Sequence, residues 1–146
     1  MRLDEIDQQI IALLSEDARV SFADIGAKVA LSAPAIKRRV DRLRRDGVIR
    51  RFTAVIDPAA VGWTTEAFVE LFCTGRTTPA QITAAVRRHP EVLGAYTVSG
   101  EADAIVHLRA SDMGHLEQTL EKLRAEAFVT STRTTIVLSR LLTPPA

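Results

Sequence analysis

The chain has a single cysteine, Cys73, which excludes an intramolecular disulfide, and the thiol lies in an apolar, strand-like run that suits a buried structural role. That usage fits a reducing cytoplasm. No apolar stretch approaches the ~20 residues that span a bilayer, and the N-terminus opens on Asp4, Glu5 and Asp7 where an export signal has positive and then apolar residues. A soluble protein that is neither exported nor membrane-bound is expected. Catalytic vocabulary is missing as well. There is no G-x-S-x-G, Gly-rich phosphate loop or Cys-His pair, and His89, His107 and His115 lack metal-type spacing with one another or with Cys73. Glu101 and Asp103 share one turn without a companion base. Neither a metal, a cofactor nor an enzymatic activity is expected.

What is present is an ordinary globular composition, 47% apolar and 25% charged over 146 residues, enough for one medium domain or two small ones. The net charge of +1 conceals an asymmetry: residues 1–52 hold 11 basic and 8 acidic side chains, residues 53–146 hold 8 and 10. Basic function therefore belongs to the first third.

Its centre is the stretch Ser32 to Gly47, SAPAIKRRVDRLRRDG. Ser32 is a good N-cap, Pro34 falls in the first turn where its missing N–H costs nothing, and Gly47 supplies the left-handed residue that ends a helix. At about 100° per residue, Ile36, Val40 and Leu43 lie within about 60° of one another and form a buried stripe. Pro34, Ala35, Arg38, Arg42 and Arg45 occupy the opposite side. From Lys37 to Arg51 there are eight basic and two acidic residues, which makes a polyanion-facing surface or a merely solvated one.

What precedes this helix decides between the two. Residues 3–16 repeat Leu3, Ile6, Ile10, Leu13 and Leu14 at helical spacing, with Asp4, Glu5 and Asp7 in the first turn. Ser21 caps a second, short helix with Phe22, Ile25 and Val29 inward, and Ala30-Leu31-Ser32 leads tightly into the basic helix. This is a helix-turn-helix whose second helix enters the major groove of double-stranded DNA. Val48 to Ile56 reads as a wing-like strand carrying Arg50 and Arg51 beside the phosphates. In the basic helix Arg38 is assigned to base edges, and Arg42 and Arg45 mainly to phosphates. Lys37 is a flanking phosphate contact. Arg39, at the margin of the stripe, either pairs with an acidic residue of the head or contacts phosphate.

From Thr65 the period changes. Glu66 to Cys73 reads as a strand, Thr78 and Pro79 open a helix carrying Ile82, Ala85 and Val86, and Val92 to Val98 is a second strand. After the turn Ser99 to Asp103, Ala104 to Ala110 pairs back. Ser111 is expected to cap a helix with Met113, Leu116, Leu120, Leu123 and Ala127 on one side, and Thr130 to Leu142 to form the last strand. The order βαββαβ is a ferredoxin-like plan, so the fold class is α+β: a winged helix-turn-helix over 1–52, a linker strand over 53–64 and a ferredoxin-like domain over 65–146. Phe68 and Phe72 in the first strand, and Ile136, Leu138 and Leu142 against Val137 and Leu141 in the last, predict an apolar open face and self-association through the sheet.

The composite of Leu3-Asp4, Asp7, Ile10-Ile11, Leu14, Asp17-Ala18-Arg19, Leu31-Ser32, Arg39, Leu43, Gly47-Val48-Ile49 and Asp57-Pro58 resembles the N-terminal pattern of the Lrp/AsnC, or feast/famine, family of transcriptional regulators. VLGAYTVSGEADAIVHLRASDM and STRTTIVL resemble its effector domain. The resemblance implies DNA contacts from Ser32, Pro34, Ala35, Lys37, Arg38, Arg39, Arg42, Arg45, Arg50 and Arg51. It also implies a small-molecule site between dimers, commonly for an amino acid, made by Tyr96, Ser99, Gly100, Glu101, Asp103, Thr132 and Thr134. There Gly100 gives backbone access, Asp103 faces an ammonium group, and the threonines offer hydroxyls; a turn-stabilising role for Asp103 is the alternative. A homodimer assembling to a tetramer or octamer, and a nucleoid-associated place in the cytoplasm, follow from the same likeness. Ala102 and Ala104 depart from the pattern, where larger side chains are usual, and leave either a roomier pocket or a weaker one. Two other readings stay open: an architectural chromosomal protein without an effector, and an enzyme like the sirohaem decarboxylases using His107 and His115.

Overall fold

The computed structural model describes residues 2–142; Met1 and residues 143–146, the end of the expected second domain, lie outside the described residues. The chain divides into two compact units, 2–55 and 56–142.

The first unit is helical. α1 spans Glu5–Glu16, α2 Phe22–Val29 and α3 Ala33–Arg45. The expected start of α1 at residue 3 moves because Asp4 is its N-cap: Asp4 accepts from the Asp7 N–H at 2.7 Å, and Asp7 reaches back to the Asp4 N–H at 3.3 Å. Ser21 and Ser32 cap α2 and α3 as expected, and Gly47, at φ +75°, follows the end of α3. Ile10, Leu14 and Ile25 close on the α3 stripe of Ile36, Val40 and Leu43, with Leu3, Ile6, Leu13, Phe22 and Val29 at its margin. Each side chain fully buried there contributes about 1.5–3 kcal/mol.

The wing-like strand over 48–56 and the linker strand over 53–64 do not form. Beyond α3 there is only a 3-10 turn at Ala59–Val61, and residues 50–57 are exposed. An extended segment is a strand only when its N–H and C=O groups meet a ladder partner, and none is available to this one among the described residues.

The second unit carries β1 (Thr65–Cys73), α4 (Pro79–Val86), β2 (Val92–Thr97), β3 (Ala104–Ala110), α5 (Met113–Arg124) and β4 (Val129–Ile136). The sheet is antiparallel in the order β2-β3-β1-β4, as the ferredoxin-like plan requires. Ala67, Val69 and Leu71 of β1, with Ala104, Val106, Leu108 and Ala110 of β3, meet Ile82, Val86, Leu116, Leu120 and Leu123 of the two helices.

Three boundaries differ from expectation. Asp112, not Ser111, caps α5, accepting from the His115 N–H at 2.8 Å, while the Ser111 hydroxyl lies 3.1 Å from His115 Nδ1. Met113 is therefore first-turn and exposed, and Ala127 falls beyond the helix. β4 stops at Ile136, because Ile136 pairs with Ala67 and Val137 N–H with the Glu66 carbonyl, close to where β1 begins. With no strand beside them, Leu138 and Leu141 are each 95% exposed.

The open face of the sheet is less apolar than expected. Phe68 stacks on His107 at 4.4 Å, His107 Nε2 meets Glu66 Oε1 at 2.5 Å, and Arg133 lies 3.3 Å from Glu70 and over the Phe72 ring. Alternation interleaves Glu66 and Glu70 with Phe68 and Phe72 on one face, so charge-paired and aromatic groups share it.

Candidate nucleic-acid interface and effector site

The turn between α2 and α3 is made by close backbone approach. A Cβ on Gly26 would stand 2.3 Å from the Leu31 carbonyl oxygen, and Ala30 takes the left-handed conformation at φ 56°. With its stripe buried, α3 has one orientation left. Arg38 and Arg45 fall within about 20° of each other opposite the stripe, seven positions and about 10 Å apart along the axis. Both are exposed, as are Ser32, Pro34, Lys37, Arg44, Arg50 and Arg51, while Ala35 is half-buried.

The cations sort into two groups. Asp7, 1% exposed, receives Arg39 Nη1 at 2.8 Å and Arg42 Nη2 at 2.5 Å; Asp4 takes Arg39 at 2.7 Å. The Arg39 hydrogen bond holds the Asp4 carboxyl below its ordinary range, and the two aspartates raise Arg39. Of the two alternatives for Arg39, the structure forms the ion pair within the head. Arg42 departs from its phosphate assignment: it is tied to the same buried carboxylate, because one carboxylate with two oxygens accepts two guanidinium groups one helical turn apart. Lys37 pairs with Asp41 at 2.6 Å and holds that carboxyl low. Arg38, Arg44, Arg45, Arg50 and Arg51 have no acidic partner among the described residues. Arg44, absent from the expected set, packs its guanidinium 5.8 Å from the Phe52 ring centre. Beside Arg50 and Arg51 a groove of about 680 Å³ runs between the end of α1 and residues 48–55.

The expected effector residues fall in two groups on one chain. Thr132 pairs with Leu71 and Thr134 with Val69, which places both on the helix-covered face of edge strand β4. Arg124 Nε donates to Thr132 Oγ1 at 2.9 Å, and Thr134 Oγ1 is buried without a partner. Tyr96 pairs with Ile105 on the open face of the other edge strand, three strand spacings or about 14 Å away. A single chain does not bring these into one pocket.

Between them lies the β2–β3 turn. Gly100, at φ +145°, takes a backbone conformation reserved for glycine, and Ser99 and Glu101 are exposed, with Glu101 3.8 Å from Arg133. Asp103 is tied to the end of β1: its N–H donates to the Leu71 carbonyl at 2.9 Å, its Oδ2 accepts from the Cys73 N–H at 2.7 Å, and its own carbonyl accepts from the Val98 N–H at 3.4 Å across the turn. Burial, with the Asp103 charge adding to it, pushes the Cys73 thiol up. His107 and His115 each engage a carboxylate, Glu66 and Glu91, and among the described residues no group of three or more His, Cys, Asp or Glu could hold a metal ion. None of the described helices is long and apolar enough to cross a membrane.

The chain matches an AsnC-type helix-turn-helix domain over residues 3–44 and an Lrp/AsnC ligand binding domain over residues 66–146. It is 54% identical over 141 residues, 97% of this chain and 95% of the relative, to the HTH-type transcriptional regulator Rv2324 of Mycobacterium tuberculosis. Among solved structures it resembles a feast or famine regulatory protein of M. tuberculosis complexed with L-methionine (31% identity, TM-score 0.91, 99% of this chain and 98% of that one). It also resembles the NMB0573/L-Met complex of Neisseria meningitidis (27% identity, TM-score 0.89, 97% and 94%).

Proposed function

The chain belongs to the Lrp/AsnC family of helix-turn-helix transcriptional regulators, and from that premise we propose that it binds duplex DNA as at least a dimer and is regulated by an amino acid held between dimers. The observation that carries the DNA reading is the line of unpaired arginines opposite the buried stripe of α3, the side a major groove would meet. Arg38 reads base edges. Arg44, Arg45, Arg50 and Arg51 contact phosphates, with the Ser32 end of the helix nearest the duplex and Arg39 and Arg42 holding the head together.

Two heads on one dimer meet half-sites about one helical turn apart, so the operator is near-palindromic. The exposed Phe68, Tyr96, Leu138 and Leu141 favour self-association of the second unit, up to a tetramer or octamer. An effector regulates only by binding one assembly state better than another. A site between dimers meets that condition, and it explains why Tyr96 and the threonines need not converge within one chain. The relatives solved with L-methionine support an amino acid as the class of effector.

The test compares Arg38→Ala with Arg45→Ala on an operator and on random duplex. Arg38→Ala loses about 5- to 100-fold on the operator, the worth of a bidentate guanine contact, and much less on random DNA. Arg45→Ala weakens both alike. Equal losses on both sequences for Arg38→Ala remove it from base reading.

A further inference from the structure

Between the last turn of α5 and the start of β4 lies a concavity of about 320 Å³ lined by Arg124, Val129, Thr130, Ser131 and Thr132. That is the lower end of the range for small-molecule sites, about 300–1,000 Å³. Its lining has one charge and no acid. The bond from Arg124 Nε to Thr132 Oγ1 orients the guanidinium plane, and Arg124 has no carboxylate partner among the described residues, so its two terminal nitrogens stay available as a fork. Thr130 gives its hydroxyl proton to the Phe72 carbonyl at 2.8 Å, so its donor is already used and Arg124 is the available donor of the lining. Because α5 ends here, the partial negative charge of a helix C-terminus would repel an anion from a neutral pocket. Arg124 alone reverses that preference.

We propose that this concavity is the anchoring point for the effector's carboxylate, with Arg124 as the bidentate donor. This rests on the reading of the chain as an amino-acid sensor, and it names the group that the β4 side of the site holds. The position suits the role, since Thr132 pairs with Leu71 on one side of β1 while Asp103 binds Leu71 and Cys73 from the other. Both groups thus flank the same end of β1.

A carboxylate of this kind is either the α-carboxylate of any amino acid or the side chain of an acidic one. Calorimetric titration of the full-length protein with L-glutamate, L-aspartate, L-methionine and L-leucine, and with L-glutamine, L-asparagine, L-methioninamide and L-leucinamide, separates the two. If the α-carboxylate is the anchored group, methionine or leucine binds and its amide does not. If the side chain is anchored, glutamate or aspartate binds and glutamine or asparagine does not. In either case Arg124→Gln weakens the bound acid about 10- to 100-fold, and Arg124→Lys, which keeps the charge and loses the fork, falls between. The helical circular dichroism and the ligand-free DNA affinity of both variants stay at the wild-type values. Affinity unchanged in Arg124→Gln, or amides bound as tightly as acids, overturns the anchor and leaves the sensor reading standing. A wild-type chain that binds none of these compounds overturns both.

Discussion

Asp7→Asn neutralises the buried carboxylate on which the head converges. Asp7 accepts from Arg39 and Arg42 and from the Asp4 N–H, and asparagine keeps one oxygen while turning an N–H₂ toward guanidinium donors. Breaking a fully buried ion pair by removing one partner costs about 3–5 kcal/mol. Here the arginine side chains are 26% and 40% exposed, so water recovers part of the loss and about 2–3 kcal/mol remains. For a unit this small that lowers the melting temperature by roughly 10–20 °C. The head is all helix and the single tryptophan, Trp63, belongs to the other unit, so far-UV circular dichroism is the readout. The same change frees two guanidinium groups. With Arg44, Arg45, Arg50 and Arg51 on phosphates, the wild-type slope of log K against log salt is about −3.6 per head, at about 0.9 per phosphate, and Asp7→Asn steepens it by up to about 1.8. A melting temperature within about 2 °C of wild type, or a shallower slope, refutes the assignment of Arg39 and Arg42 to the fold.

Gly26→Ala places a methyl group against the Leu31 carbonyl and must move backbone, so urea unfolding of the head shows a loss of about 1–3 kcal/mol; an unchanged midpoint means that the turn is not the close-packed one described. For Glu66, burial works against ionisation, yet the hydrogen bonds from His107 and Arg140 outweigh it and hold the carboxyl below its ordinary 4.5. Its stabilisation is therefore fully present above pH 4.5 and lost as the pH falls through the lower folded value. Glu66→Gln flattens the acid limb of the melting-temperature profile followed by Trp63 fluorescence, and parallel profiles contradict the pairing.

Most of the head was legible because its signals are local. Ser21 and Ser32 cap within three residues of themselves, and Ile36, Val40 and Leu43 repeat within two turns. The βαββαβ order was legible for the same reason, through Thr78-Pro79 and the alternation of β3. The errors fell where a neighbour far along the chain decides. Val48 to Ile56 has the composition of a strand but no partner, and Leu138 to Leu142 continues a strand's pattern past the point where β1 has begun. The cap of α5 is the local exception: Ser111 and Asp112 are both cap-type residues, and Asp112 takes the His115 N–H while the Ser111 hydroxyl lies against His115 Nδ1.

A short, capped, basic helix after a tight turn, a βαββαβ unit behind it and the likeness to the Lrp/AsnC regulators are all readable along the chain. These are matters of spacing, and spacing is written in the chain. Which arginines remain available to a polyanion was settled only by tertiary structure, because Asp7 and Arg42 are 35 residues apart and their meeting depends on how α1 packs across α3. So was the separation of Tyr96 from Thr132 and Thr134, since strand order, and not position in sequence, sets which side chains share an edge and a face. Charge can be counted along a chain, but whether a charge is free depends on what the fold puts next to it.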